Sequence, residues 1–156
     1  MFHFLPALIF IFIFFTSCLV CNSQSNKPDS VKISISNQAT SAVKSSPAFA
    51  EIILRKTELE AELESLLVSY TEDFPKIKEI RFEMDSLKKG LERLSAVKAA
   101  ESSKLTLALG KLMVRKAELE TDLWNLRKKY DDNHPEAKRA KRKIEIYELA
   151  IREILG

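Results

Sequence analysis

The chain is expected to be all-α: coiled-coil helical hairpins in two tandem repeats, after an N-terminal apolar leader and a disordered linker. Three observations point there. Glycine and proline are scarce, three and five in 156 residues, too few for the turns of an all-β sandwich or barrel. Apolar residues recur at steps of three and four along most of residues 47–156, the narrow stripe of a coiled-coil helix. The pattern then returns sixty residues later, the mark of an internal repeat.

Residues 1–21 hold 17 apolar residues, six of the nine Phe among them. The run from Phe4 to Phe15 reads as a secretory h-region followed by small residues. Phe15-Thr16-Ser17-Cys18 resembles a bacterial lipobox, with Phe15 where that pattern prefers Leu, and makes Cys18 the candidate lipidation site. Three fates are open: lipidation at Cys18, ordinary cleavage near residues 21–23, or retention as a membrane anchor of about 18 uncharged residues. Each places the remainder outside the cytoplasm, in the periplasm or envelope of a bacterium. Beyond Cys21 there is no cysteine, so residues 22–156 can form no disulfide, thiolate nucleophile or Cys–metal site.

Residues 22–46 are polar and Ser-rich, and bury too little to offset the entropy of ordering them. They are read as a flexible linker, although Val31 to Ser36 alternates as a half-buried strand does. Ser46-Pro47 begins the first helix, with Ser at the N-cap and Pro where its missing N–H is harmless.

Repeat one is assigned to residues 47–97 and repeat two to 98–156. At an offset of sixty, ten identities fall between residues 52–96 and their counterparts, including Arg55/Arg115, Leu63/Leu123, Tyr70/Tyr130 and Pro75/Pro135. Four seams follow. Ile52, Leu59, Leu63, Leu66 and Tyr70 mark the first, and Ile77, Ile80, Met84, Leu87, Leu91 and Leu94 the second. Leu105, Leu109, Leu112, Leu119, Leu123, Leu126 and Tyr130 mark the third, and Ala137, Ala140, Ile144, Tyr147, Ile151 and Ile154 the fourth. Lys56 and Lys116 sit at seam positions, where a lysine can fix register at some loss of stability.

Each repeat breaks at a matching turn motif, Tyr70 to Pro75 and Tyr130 to Pro135. Proline interrupts the helix, and its predecessor is biased away from α. Asp73 and Asn133 are expected as N-caps, with Glu136 completing a capping box. Helices of similar length on either side suit an antiparallel hairpin, the alternative being a kinked rod. Between the repeats, Ser95 to Gly110 lacks proline, and the seam steps eleven residues from Leu94 to Leu105. The expectation is one continuous rod over residues 75–131, about 85 Å long at 1.5 Å per residue. The alternative is that Ser102-Ser103 caps a new helix and lets a four-helix bundle close.

Leu-x-x-Leu-x-x-x-Tyr, four residues, then Pro and a heptad run, resembles the periplasmic coiled-coil region of polysaccharide chain-length determinant (co-polymerase) proteins. In that family a Tyr-Thr-x-x-His-Pro-like element lies beside long helices. Here the first copy reads Tyr70-Thr71-Glu72-Asp73-Phe74-Pro75 and the second Tyr130-Asp131-Asp132-Asn133-His134-Pro135. The resemblance covers residues 52–96 and 112–155. It implies a helical envelope module connected with surface polysaccharide. It does not imply a whole co-polymerase, because the sequence has no second apolar span after the helices and no Gly-rich phosphate loop.

No nucleophile–base pair, pocketed carboxylate pair or cofactor motif is apparent, and the chain is read as non-catalytic, without cofactor, metal or small-molecule substrate. His134 is taken as part of a capped turn; Tyr70 and Tyr130 as packing residues; Trp124 as flanking the core, with a partner anchor as the alternative. Residues 127–143 carry eight basic side chains against three acidic ones, while the whole chain is only +3. Lys138, Arg139, Lys141, Arg142 and Lys143 are therefore the candidate anion-binding residues. Outside the cytoplasm their partners would be anionic lipid, acidic polysaccharide or acidic protein, with nucleic acid a weaker reading. The expectation is a structural or protein-interaction module that self-associates or binds another helical protein. The rival is a small basic periplasmic holdase chaperone.

Overall fold

The computed structural model describes residues 41–156. The leader, Cys18 and the strand-like stretch at residues 31–36 lie outside the described residues. The described part is helical throughout: α1 (Pro47–Leu67), α2 (Pro75–Ser95), a short 3-10 helix (Ala99–Lys104), α3 (Leu107–Arg127) and α4 (Pro135–Leu155). Each of these four long α-helices has 21 residues, and α3 and α4 begin and end sixty positions after α1 and α2.

Capping explains the boundaries. The Ser46 side chain accepts from Phe49 N and Pro47 opens α1, as expected. Thr106, sixty residues on, does the same for α3 by accepting from Leu109 N. The expected N-caps at Asp73 and Asn133 are one residue early. Proline takes the first helical position, so the cap falls on Phe74 and His134, both extended at ψ 130° and 139°, as a residue before proline must be. The His134 ring accepts from Glu136 N, whereas Phe74 has no side chain that can. The linker assigned to residues 22–46 also ends early. Residues 41–44 are already helical, and Val43 and Ser46 are buried.

The rod over residues 75–131 does not form. Helix α2 stops at Ser95, and α3 starts afresh after the 3-10 turn. A second apolar stripe on α3, outside the expected seam, forces the reversal. Met113 and Ala117 are buried, with the seam residue Leu109, in the same core as Ile52, Ile80 and Leu87. A straight rod would leave that stripe wet, at roughly 25 cal/mol for each Å² of apolar surface. The hydroxyl cap at Thr106 makes the break cheap. Lys104 secures it by donating to the Leu155 carbonyl at the end of α4, 2.8 Å away.

Helix α3 is the hub, packing on α1, α2 and α4. It is antiparallel to α2: Asn125 donates to Glu79 (2.8 Å), and Ser86 donates to Glu120 (2.7 Å). It runs parallel to α1, whose first turn it approaches so closely that Gly110 has no room for a Cβ; one placed there would lie 2.8 Å from Glu51 Cβ and 2.9 Å from Ala48 Cα. Helices α1 and α2 are antiparallel, joined by Arg55–Glu83 (2.8 Å) and Lys76–Glu62 (3.6 Å). Helix α4 lies on α3 through Leu123, Ala137 and Ala140. The seam residues Ile52, Leu59, Ile77, Leu87, Leu105 and Ile151 are fully buried. Among the described residues, no helix is long and apolar enough to cross a membrane.

Candidate interaction surface

The two Tyr-to-Pro turns are built alike. Tyr70 N and Tyr130 N each donate to a leucine carbonyl four residues back, Leu66 and Leu126, at 2.9 Å. Each tyrosine ring then stacks on the residue before proline: Tyr70 on Phe74 at 4.1 Å and Tyr130 on His134 at 3.9 Å between centroids. Both tyrosines are exposed, at 48% and 42%, so they are not core seam residues. The helix has already ended at Leu67 and Arg127, and the rings turn back onto their own loop. Such stacks are worth about 0.5–1.5 kcal/mol and fix the angle at which the next helix leaves. Phe74 and His134 serve the stack alike, each a flat ring before a proline, although only His134 also caps its helix.

Acidic residues hold the turns. Asp73 accepts from Lys78 at 2.8 Å, and that hydrogen bond holds its carboxyl below the usual range. In the second turn Asp131 accepts from Asn133 N (2.8 Å), an Asx turn. Asp132 accepts from Arg127 and Lys141, each at 2.9 Å; the two hydrogen bonds lower its pKa.

The structure divides the five candidate anion-binding residues. Lys141 is half-buried and held by Asp132. Arg139 pairs with Glu136 and Arg142 with Glu145, each one turn along α4, yet both guanidinium groups stay 71% exposed. Lys138 and Lys143 are exposed and enter no ion pair among the described residues. Exposed pairs of this kind are worth only a few tenths of a kcal/mol, so they leave the arginines available. Arg139 and Lys143 overhang a groove of about 620 Å³ between α3 and α4, floored by Leu119, Leu126 and Ala140.

A second groove, about 510 Å³, runs where α2 and α4 diverge above α3. Gly90 and Ala117 keep it open, and Trp124 lies at its side. Trp124 stacks on Phe82 at 5.1 Å and carries the Lys128 ammonium 3.2 Å from its ring centroid. The ring is half-buried, and both of these contacts are within the chain.

Sequence reasoning missed the exposed apolar residues Leu54, Ile146 and Leu149, each more than half exposed, and the exposed cations Lys111 and Arg115 on α3. The three apolar residues lie outside the seams, where only charge was expected, and the two cations lie outside the basic run of residues 127–143. A helical wheel of α1 would have shown Ala50, Leu54, Thr57 and Ala61 as a second stripe at 4-3-4 spacing. The chain matches no family model, no curated protein and no solved structure.

Proposed function

We propose that the chain is a non-catalytic helical interaction module of the bacterial envelope, exported by its leader and held at a membrane through Cys18 or the leader itself. In this reading α1–α2 and α3–α4 are two tandem hairpins, and the second offers a basic face to an acidic partner. The supporting observation is that Lys138, Arg139, Arg142 and Lys143 are all exposed on one helix, whose opposite face, through Ala137, Ala140 and Ile151, is buried. A connection with surface-polysaccharide export or assembly rests on the resemblance of the turn element. The holdase reading draws on Leu54 and Leu149, apolar side chains exposed beside charged ones.

Dextran sulfate serves as a polyanion probe. The full chain is expected to bind it more weakly as salt rises, because exposed charges are screened within about 10 Å at 0.1 M salt. Replacing Lys138, Arg139, Lys141, Arg142 and Lys143 by Gln is expected to weaken binding at least tenfold with helix content intact. Undiminished binding would remove the basic face from the proposal. Near-stoichiometric suppression of aggregation of an unfolded outer-membrane protein would favour the holdase reading instead.

A further inference from the structure

The way α3 sits on the first hairpin is itself a template. Its contacts are Gly110 on Ala48 and Glu51, Glu118 near Arg55 (3.9 Å), Glu120 with Ser86, Trp124 on Phe82 and Asn125 with Glu79. Shifting every partner by the sixty-residue repeat identifies the matching faces that the bundle leaves uncovered. On the incoming side, Gly110, Met113, Ala117 and Thr121 become Ala50, Ile53, Thr57 and Ala61 of α1. The first four are buried, whereas the second four are exposed. On the receiving side, Ala48, Glu51, Arg55, Glu79, Phe82 and Ser86 become Ala108, Lys111, Arg115, Arg139, Arg142 and Ile146. All six are exposed.

We infer that a second copy of this chain docks its α1 onto the α3–α4 hairpin, repeating between molecules the joint that α3 makes within one. The inference rests on the proposed interaction-module reading and names the acidic partner of its basic face. Charge complementarity singles out this occupant. At the joint between copies Glu58 falls on Arg115, as Glu118 falls on Arg55 within the chain. Glu64 and Arg142 take the places of Trp124 and Phe82, so an ion pair of opposite charges replaces an aromatic stack. Ile53 and Leu54 bring apolar surface to one side, and Ile146 to the other. A symmetric pairing of two α1 faces would instead set Glu58 and Glu64 against like charges.

The contact is head-to-tail, so each docked copy presents a fresh receiving face, as in repeat proteins. Ala50 carries the Cβ that Gly110 lacks, so the joint between copies is less close than the internal one and is the one that dissociates.

Sedimentation of the full chain over a concentration series tests this. Wild type is expected to grow in mass with concentration. Glu58→Lys with Glu64→Lys, and separately Arg115→Glu with Arg142→Glu, are each expected to weaken association at least tenfold while the circular dichroism stays helical. Mixing the two variants is expected to restore it, because reversed head then meets reversed tail. A monomeric wild type, association indifferent to both pairs of changes, or a mixture that stays dissociated would each overturn the joint. A monomer that still binds dextran sulfate in a salt-sensitive way would overturn the joint alone and leave the wider proposal standing.

Discussion

Arg55→Ala is expected to lower the unfolding free energy by about 3 kcal/mol, the larger of two single-residue losses that follow from the packing. Arg55 joins three helices. Its guanidinium donates to Glu83 of α2 at 2.8 Å, approaches Glu118 of α3 at 3.9 Å and pairs with Glu58 on its own helix. Glu83 is only 7% exposed. Without Arg55 its carboxylate stays in the core with no cation beside it, and breaking a buried pair from one side costs about 3–5 kcal/mol. The lower figure applies because Arg55 is itself 30% exposed and water would reach part of the gap. Arg55→Met with Glu83→Leu is expected to recover most of the loss, since an apolar pair leaves no charge to solvate. Arg127→Ala, which leaves the exposed Asp132 paired with Lys141 alone, is expected to lose less than about 1 kcal/mol. Urea unfolding monitored by circular dichroism reads all three, through midpoint shifts at constant slope. An Arg55→Ala loss no larger than that of Arg127→Ala would mean that the three-helix junction is not closed to water.

The second large effect comes as a pair of opposite signs. Gly110→Ala is expected to destabilise by about 2 kcal/mol, because the new methyl would stand 2.8–2.9 Å from Glu51 Cβ and from the Cα and O of Ala48. Two of those atoms are backbone, so relief requires α1 and α3 to separate, and overpacking of this kind costs about 1–3 kcal/mol. The gain in helix propensity, about 1 kcal/mol, offsets only part of a clash near the upper end of that range. Gly90→Ala is the control. Its Cβ would meet only Ile52 Cδ1, at an ordinary 3.6 Å, so the propensity gain survives and the chain is expected to become about 0.5–1 kcal/mol more stable. Equal effects at the two glycines, measured by thermal melting, would contradict the close crossing of α1 and α3.

Much of this arrangement is legible in the sequence, and the failures have physical causes. Single-helix periodicity identifies buried positions such as Ile52, Leu87, Leu109 and Ile151 because a 3-4 stripe has one place to go. It does not reveal how many neighbours a helix has. Helix α3 buries Leu119 and Leu123 on the expected seam and Met113, Ala117 and Thr121 on another face. With small residues in that second face, it reads as neutral filler rather than core. The same blindness hides Gly110, whose missing side chain is the contact. The N-caps slip by one residue because Asp and Asn are better caps in isolation, although proline at the first helical position had already settled the matter at Ser46. In the candidate surface, clustering of basic residues was visible along the chain; the partners Asp132, Glu136 and Glu145 that lean on Lys141, Arg139 and Arg142 are local and equally readable. The exposed Ile146 and Leu149 were not, since they lie within two positions of the seam residues Ile144, Tyr147 and Ile151 and merge with that stripe.

Helix α3 folds back against α2 instead of continuing it. Spin labels at Ser86→Cys and Glu120→Cys, with Cys18→Ser and Cys21→Ser in the background, report on it directly by electron paramagnetic resonance. These two side chains hydrogen-bond at 2.7 Å, so one short separation, set by labels on touching helices, is expected. In a continuous helix the same positions, 34 residues apart, would stand about 51 Å from each other at 1.5 Å per residue, and a distribution centred there would contradict the fold.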